Sequence, residues 1–158
     1  MPASKEAVIR KIYKAFQGVT LGNGVGLLQG QAHDGGMSGL EERVLDEKLD
    51  WGRISVDELD RCNSSLSFFD AEGMRFHLPA FLIAELHGYL NRTSVIFHLT
   101  DLSDYSKGQL SMLSAVQREA VREFLLFRRA DAEHEYDWPE IEKALATYWR
   151  SDEADPKG

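Results

Sequence analysis

Side chains capable of acid–base chemistry are concentrated in one short segment of the chain. Asp70 and Glu72 supply two carboxylates. Arg75 follows with a guanidinium group and His77 with an imidazole. A carboxylate beside an imidazole can transfer protons as a general acid or base, and an arginine can hold an anion. His98 would join this group if its own segment packs alongside. The structural alternative, two turn residues, an arginine paired across the turn and a solvent-facing imidazole, is the interpretation that the spacing favours.

The histidines as a set show no metal-binding pattern. The five histidines are scattered, and the chain contains no His-x-x-x-His or Cys-x-x-Cys pair. We therefore predict neither a metal site nor a cofactor. The nearest local approach to a ligand pair is His33-Asp34, beside a glycine-rich segment. His33 is thus a candidate ligand-binding or anion-binding residue together with Arg75, His77 and His98.

That glycine-rich segment, residues 18–36, holds seven glycines, too many for a regular element. Its Gly22-Asn23-Gly24-Val25-Gly26 run invites comparison with loops that cradle phosphate groups. A dinucleotide fingerprint needs a preceding strand and a P-loop needs Gly-Lys-Ser/Thr, and neither pattern is present. We expect a surface loop here rather than a phosphate site.

The elements that would position these side chains begin with a predicted β-hairpin at about 66–78. The turn-forming group 70–73 separates two apolar runs and ends in Gly73, which can adopt the left-handed conformation that a bulged turn requires. After the turn, Met74, Phe76 and Leu78 alternate with Arg75 and His77. A period of two sends the apolar side chains to one face and the basic ones to the other.

A third strand is predicted at about 94–99, where apolar residues alternate and β-branched and aromatic types are frequent. Helices are predicted from helical apolar spacing and capping residues at about 4–17, 38–51, 55–62, 79–90, 114–129 and 137–149. Ser4 and the pair Ser114 and Gln117 are the predicted caps of the first and fifth of these helices, and Pro79 and Pro139 are expected in first turns. The helix at 38–51 is supported by Leu40, Val44 and Leu45. The predicted fold class is α+β: a predominantly helical single domain, residues 1–150, in which helices pack against a small antiparallel sheet. A polar, frayed tail is expected at 151–158.

The charge balance restricts the classes of partner. The chain carries 26 acidic and 18 basic side chains, a formal charge of -8. General nucleic-acid binding is therefore not expected, because a surface that meets phosphates needs concentrated positive charge. One acidic region spans residues 41–60, and a second contains the candidate partner-binding residues Glu133, Glu135 and Asp137. Such regions could steer a basic protein partner.

Cysteine usage and hydropathy indicate a compartment. Cys62 is the only cysteine, which excludes an intrachain disulfide and suits a reducing cytoplasm. It has no neighbouring His in the sequence, so a buried thiol is expected rather than a nucleophile. The first residues lack the apolar core of a signal peptide, and no apolar run approaches the roughly 18 residues of a membrane span. We predict a soluble cytoplasmic protein that does not bind membranes.

The run Phe69–Leu82, which contains Asp-Ala-Glu-Gly-Met-Arg-Phe-His-Leu-Pro-Ala, resembles a stretch that marks a family of uncharacterised bacterial proteins. The family pattern is of the FxDxEGxRFxLPA type and precedes a helix. His77 stands where an aromatic residue such as Tyr is more usual. The resemblance covers most of the chain and implies a bacterial origin, and it supplies no activity.

Two functional hypotheses follow. The favoured one is a small cytoplasmic accessory, regulatory or immunity-type protein that acts by protein–protein contact through its acidic regions. The alternative is an enzyme or small-ligand binder whose pocket lies between the glycine-rich loop 18–36 and the polar side of the hairpin. We favour the non-enzymatic hypothesis, because the sequence contains no catalytic spacing.

Overall fold

The computed structural model describes residues 3–151 and, within that range, the side chains of all residues except 132–134. The described chain is a succession of helices. In order they are α1 (Lys5–Ala15), α2 (Leu27–Asp34), α3 (Leu40–Leu45), α4 (Val56–Arg61), α5 (Ser65–Phe68), α6 (Ala71–Leu86), α7 (Val95–Thr100), α8 (Asp104–Gln109), α9 (Ala115–Arg129) and α10 (Trp138–Thr147). Two 3-10 turns, Trp51–Arg53 and Ala132–Asp137, complete the regular structure.

The predicted antiparallel sheet, and with it the α+β fold class, is wrong. No residue between 3 and 151 belongs to a strand. The segment 66–78 is divided between α5 and α6, and the segment 94–99 lies in α7. The hypothesis of a ligand pocket on the solvent-exposed side of a hairpin therefore has no hairpin to form it.

The residues taken for a hairpin turn form the start of α6 instead. Asp70 is the residue that caps this helix, and its Oδ1 accepts hydrogen bonds from the amide of Gly73 at 2.8 Å and from that of Val25 at 3.0 Å. Asp favours both turns and helix N-caps, so residue type alone does not separate the two. Gly73 is required by contact rather than by a turn, because a Cβ there would lie 2.5 Å from the Val25 carbonyl oxygen.

Helix α6 is the centre of the molecule. Eleven of its sixteen residues are buried, so it presents almost no polar face. A helix surrounded by protein is apolar all round and shows no helical period in its sequence. Pro79, expected in a first turn, lies inside this helix, which begins at Ala71.

Helix α7 replaces the predicted third strand. Ser94 caps it and accepts a hydrogen bond from the amide of Phe97 at 3.4 Å. Val95, Ile96 and Leu99 are buried at spacings of one and four residues, which a helix places on one side. The β-branched residues here pack in a helix because tertiary burial outweighs their modest propensity.

The helices with strong caps were predicted correctly. Ser4 caps α1 and accepts a hydrogen bond from Ala7 at 3.1 Å. Ser114 and Gln117 form the predicted reciprocal capping box at the start of α9. Pro139 lies in the first turn of α10, as expected.

Polar side chains tie the long helices to one another around a shared apolar core. Gln117 Nε2 donates to the Ala15 carbonyl at 3.2 Å, joining α9 to α1. Arg128 Nη2 donates to the Glu85 carbonyl at 2.7 Å, joining α9 to α6. Trp149 Nε1 donates to the carbonyl of Leu99 at 2.8 Å. The buried apolar residues from Val8 to Trp149 form one cluster.

Candidate functional site

His77 lies in the core rather than on a solvent-facing surface. It is fully buried, and its ring stacks on Phe69 with centroids 4.3 Å apart and planes 1° from parallel. Nδ1 carries the proton and donates to the Gly73 carbonyl at 2.7 Å, which leaves Nε2 enclosed with no partner among the described residues. Burial lowers the pKa of His77 to about 4, so the imidazole is neutral at pH 7.

The other three candidate ligand-binding residues, Arg75, His98 and His33, each have different surroundings. Arg75 is half-buried, and its Nε has no acceptor within residues 3–151. His98 is half-buried in α7, and burial lowers its pKa. His33 Nδ1 lies 2.8 Å from the Met37 carbonyl oxygen. Described contacts join no two of these four residues, so their role in ligand binding stays a prediction.

The glycine-rich segment 18–36 was expected to be a surface loop, and this is wrong for Leu27–Asp34, which form helix α2. In the loop before α2, backbone amides that could bind a ligand are hydrogen-bonded within the protein. The amide of Gly24 donates to Leu21, that of Val25 to the Asp70 carboxylate, and that of Gly26 to Gln29 Oε1, each at 3.0 Å. A phosphate-cradling loop needs successive free amides. These amides are already used within the protein.

Asp46 explains why the loop contains Gly26. Its carboxylate accepts from the amides of Leu28 at 2.7 Å and Gln29 at 3.2 Å, and so caps α2 from outside the helix. A Cβ at Gly26 would lie 2.0 Å from Asp46 Oδ2. Burial raises the pKa of Asp46, while the two backbone hydrogen bonds and the charge of Lys48 act in the opposite direction. The role of the Asp46 carboxylate is therefore structural, because it holds the start of α2.

The most unusual surface lies on and beside α3. Five large apolar side chains, which we call the α3 patch, are between 65% and 77% exposed. They are Met37, Leu40, Val44, Leu45 and Leu49. Helix α3 itself buries no residue. Contiguous exposed apolar side chains of this kind mark interaction surfaces more often than single exposed ones do.

Polar anchors hold α3 with its apolar side chains outward. Arg43 donates to the carbonyls of Gly22 at 2.8 Å and Gly24 at 3.1 Å. Lys48 Nζ donates to the Asp46 carbonyl at 2.9 Å, and its own carbonyl accepts from the amide of Leu21. A six-residue helix is not stable alone, so these contacts fix its position.

The same anchors make the patch acidic as well as apolar. Glu41 and Glu42 are exposed on α3. Arg43 and Lys48 turn their charges onto backbone carbonyls. The spacing of Leu40, Val44 and Leu45 predicted a helix at about 38–51, and the structure has the shorter helix α3 there. Helical spacing identifies an apolar face and does not say whether the protein itself covers it.

The second acidic region is only partly described. The side chain of Glu133 lies outside the described residues, Glu135 is exposed, and Asp137 is half-buried and engaged in contacts. Between the last two, Tyr136 is 95% exposed. Binding of a basic partner by these acids stays a prediction.

Cys62 is buried, as expected from its sequence surroundings. Burial, with a smaller effect of the Glu58 charge, raises its pKa to about 11. The residue is therefore a protonated thiol at pH 7 and a poor nucleophile.

Three surface cavities of the described chain, with volumes of ≈ 560, ≈ 390 and ≈ 110 Å³, are lined by residues other than the four candidates. Within the described residues, no group of three or more His, Cys, Asp or Glu side chains could hold a metal ion. None of the described helices has the length and apolar character to cross a membrane.

Comparison with known proteins gives a family without an activity. No curated protein and no solved structure matches the chain. A family model, described as a family of unknown function (DUF6714), matches residues 4–153. Since this match covers nearly the whole sequence, the chain belongs to the DUF6714 family, whose function is unknown.

Proposed function

We propose that this protein acts by binding another protein through the α3 patch, and that the partner contributes a basic amphipathic segment. The observation that carries the proposal is the patch itself: three large apolar side chains are exposed on a helix that buries none, and two more are exposed beside it. Exposing this much apolar surface is unfavourable in water, and a partner that covers it would recover the hydrophobic free energy.

The charges around the patch define the partner's chemistry. Glu41 and Glu42 are exposed and carry negative charge on the patch, while Arg43 and Lys48 are half-buried and donate hydrogen bonds to backbone carbonyls. A segment with a Leu-rich face flanked by Lys or Arg would match both properties. The apolar face would supply affinity and the basic flanks would supply rate and specificity.

The second acidic region is proposed to assist this association. Glu133, Glu135 and Asp137 add negative charge, and exposed Tyr136 adds an aromatic contact of the type that anchors interfaces. The net charge of -8 favours a basic protein over nucleic acid. The buried single thiol agrees with a reducing cytoplasm.

The alternative function, an enzyme or ligand binder using Arg75 and His77, has less support. It required a pocket between the glycine-rich loop and a hairpin, and residues 66–78 are helical.

A synthetic Leu/Lys amphipathic helical peptide, fluorescently labelled, is the probe for the first test. Leu45→Gln should weaken its binding to the full chain about tenfold or more by anisotropy, because one buried leucine contributes about 1.5–3 kcal/mol. Val116→Gln is the matched control, since Val116 is an exposed apolar residue on α9. Equal affinity of both variants and the wild type would contradict the proposal.

Charge reversal tests the electrostatic half of the proposal. Glu41→Lys combined with Glu42→Lys should slow association with the same peptide and flatten its salt dependence. Sedimentation of the free protein provides a further check. If the wild type is a dimer and Leu45→Gln is a monomer, the patch binds a second copy of this chain, and the basic-partner assignment is overturned.

A further inference from the structure

A pocket without charged walls lies where α1, α6 and the start of α4 meet the 3-10 turn Trp51–Arg53. Its volume is ≈ 110 Å³, and we call it the Trp51 pocket. None of the described residues that line it is an Asp, Glu, Lys or Arg. The cavities of ≈ 560 and ≈ 390 Å³ differ, because both have acidic and basic side chains in their walls. A charged group buried in the Trp51 pocket would find no opposite charge, so the group that it accepts is uncharged.

The aromatic wall of the pocket is held in position by the protein itself. Trp51 is 5% exposed, and its Nε1 donates to the Phe16 carbonyl at 2.9 Å. The Tyr13 ring lies against it, with centroids 5.1 Å apart and planes inclined by 36°. The turn that carries Trp51 is closed by Asp50, whose side chain accepts from the amide of Gly52 at 2.9 Å. A wall that is already ordered loses little conformational freedom when a ligand binds.

Two small side chains of α6 create the space in the pocket. Ala80 and Ala84 are buried, both line the pocket, and they lie four positions apart on one face of the helix. Most other buried side chains of α6 are Leu, Phe or Met, and a side chain of that size at either alanine would fill the gap. Ile54, Val56 and Ile83 complete the apolar lining.

Two hydrogen-bonding groups accompany this apolar lining. The Tyr13 hydroxyl and the His87 imidazole belong to exposed side chains that line the pocket, whereas Trp51 Nε1 is already bonded. The His87 ring stacks on Tyr89, with centroids 5.2 Å apart and planes inclined by 28°. Sites for small ligands are typically apolar with a few polar groups that fix the orientation. A ligand with one hydrogen-bonding substituent beside its apolar part suits this arrangement.

Size and wall chemistry limit the apolar part to a single ring. A cavity of roughly 150 Å³ can enclose a whole benzene molecule. The Trp51 pocket is smaller, at ≈ 110 Å³, but Tyr13 and His87 are exposed, so it opens to solvent. One ring can therefore enter with its substituted edge at the mouth, while a fused pair of rings cannot be enclosed. Offset and edge-to-face contacts with Tyr13 and Trp51 favour an aromatic ring over an aliphatic chain.

We infer that the Trp51 pocket binds a single uncharged aromatic ring that carries one hydrogen-bonding substituent. Trp51 and Tyr13 contact the ring, and the Tyr13 hydroxyl and His87 bind the substituent. The pocket shares no residue with the α3 patch and is independent of its proposed function.

The first experiment titrates the full chain with p-cresol and follows amide chemical shifts. The shifts should saturate and should converge on residues 51–56 and 80–87. Ala84→Leu should weaken binding by about tenfold or more, because the added carbons occupy the space of the ring. Ala146→Leu adds the same atoms at an exposed position on α10 and should leave the affinity unchanged. Shifts that do not saturate, or that spread over the α3 patch, would overturn the site.

A variant at the mouth separates binding from folding. His87→Ala changes an exposed side chain, so the thermal unfolding midpoint should stay close to that of the wild type. Its affinity for p-cresol should fall by about threefold or more, because a hydrogen bond is lost. Its affinity for toluene, which has no hydroxyl group, should not change. Equal losses for the two ligands, or no loss for p-cresol, would overturn the role of His87 in binding the substituent.

Competing ligands define the group and its source. Benzoate and benzylamine carry a charge and should bind about tenfold or more weakly than p-cresol, and equal binding would overturn the uncharged assignment. Isoamyl alcohol should also bind more weakly, and tighter binding would overturn the aromatic assignment. A short uncharged peptide with a central tyrosine presents the same ring on a backbone. Binding of this peptide more tightly than p-cresol, with the same loss in Ala84→Leu, would identify a protein side chain as the source, and weaker binding would identify a free small molecule.

Discussion

At the scale of the residue, burial decides what an ionisable group can do. His77 occupies the centre of α6, between Phe69 and Phe76, with one nitrogen bonded and the other enclosed. A neutral imidazole packs in a core as a polar aromatic ring, so this arrangement requires no catalytic role for His77. Its consequence is a pH-dependent stability rather than a catalytic step.

His77 should make the protein less stable below neutral pH. Its pKa is about 4 when folded and 6.5 ordinarily, so the unfolded chain takes up a proton that the folded chain excludes. Its contribution is therefore fully present above pH 6.5 and is lost as the pH falls towards 4, by up to about 3 kcal/mol. Denaturant unfolding at several pH values should show this loss in the wild type.

The variant His77→Phe isolates the histidine from the carboxylates that titrate nearby in pH. The difference in unfolding free energy between wild type and variant should change with pH between 6.5 and 4, in the direction that disfavours the wild type. A difference that stays constant over this range would contradict the assignment. If the larger ring is not accepted in the core, His77→Gln serves the same purpose.

Residue type alone did not reveal these environments. Alternation of Arg75 and His77 with apolar neighbours predicted two outward side chains, yet His77 is fully buried and Arg75 is half-buried. Gly73 was predicted to be a turn residue, but a glycine is needed there because the Val25 carbonyl lies too close for a side chain. The Gly73 contact depends on a segment distant in sequence, and the burial of His77 depends on the helices packed around α6, so local patterns contain neither.

At the scale of the element, caps were informative and apolar periods were ambiguous. Ser4, Ser114 and Gln117 identified the starts of α1 and α9, because a cap is a local interaction that the sequence carries complete. The first half of α6 was assigned to a strand, and only its second half to a helix, because a mostly buried helix has little polar face. A short stretch of such a helix alternates by chance as readily as a strand does.

Leucines on two helices should differ greatly in their effect on stability. Leu82 on α6 is fully buried, and Leu45 on α3 is mostly exposed. Leu82→Ala should lower the free energy of unfolding by about 2–5 kcal/mol, through lost burial and the remaining cavity. Leu45→Ala should change it by less than about 0.5 kcal/mol.

Denaturant midpoints of the two alanine variants, measured side by side, provide the comparison. The pair also tests the α3 patch independently of any partner. If Leu45→Ala were as costly as Leu82→Ala, α3 would be covered by the protein itself, and the patch would not be available for binding.

At the scale of the whole molecule, charge and apolar surface are distributed unevenly. The chain has a charge of -8, and the most exposed leucines stand beside glutamates. Composition predicted the acidic character and the poor fit to nucleic acid. It could not predict that the α3 patch is exposed, because whether an apolar helix face is covered depends on how the other helices pack.

Residues 1–150 were expected to form a single domain, and the shared core makes that expectation testable. Trp51 and Trp149 are both buried in the core and lie about a hundred residues apart in the sequence. A single cooperative unit would unfold all at once, so fluorescence and far-UV circular dichroism should give the same midpoint. In Trp138→Phe, which removes the more exposed tryptophan, the fluorescence comes from the two buried rings alone.

Single-tryptophan variants then report on each end separately. Trp51→Phe with Trp138→Phe leaves Trp149, and Trp138→Phe with Trp149→Phe leaves Trp51. Trp51→Phe removes the hydrogen bond to the Phe16 carbonyl, and Trp149→Phe removes the one to the Leu99 carbonyl. Because either loss can lower the stability, the fluorescence of each variant is compared with its own circular dichroism and not with the wild type. Coincident transitions in both variants are expected because α6 packs against α1 and is joined to α9 by the contacts between Glu85 and Arg128. A fluorescence midpoint that departs from circular dichroism in either variant would divide the chain into two units.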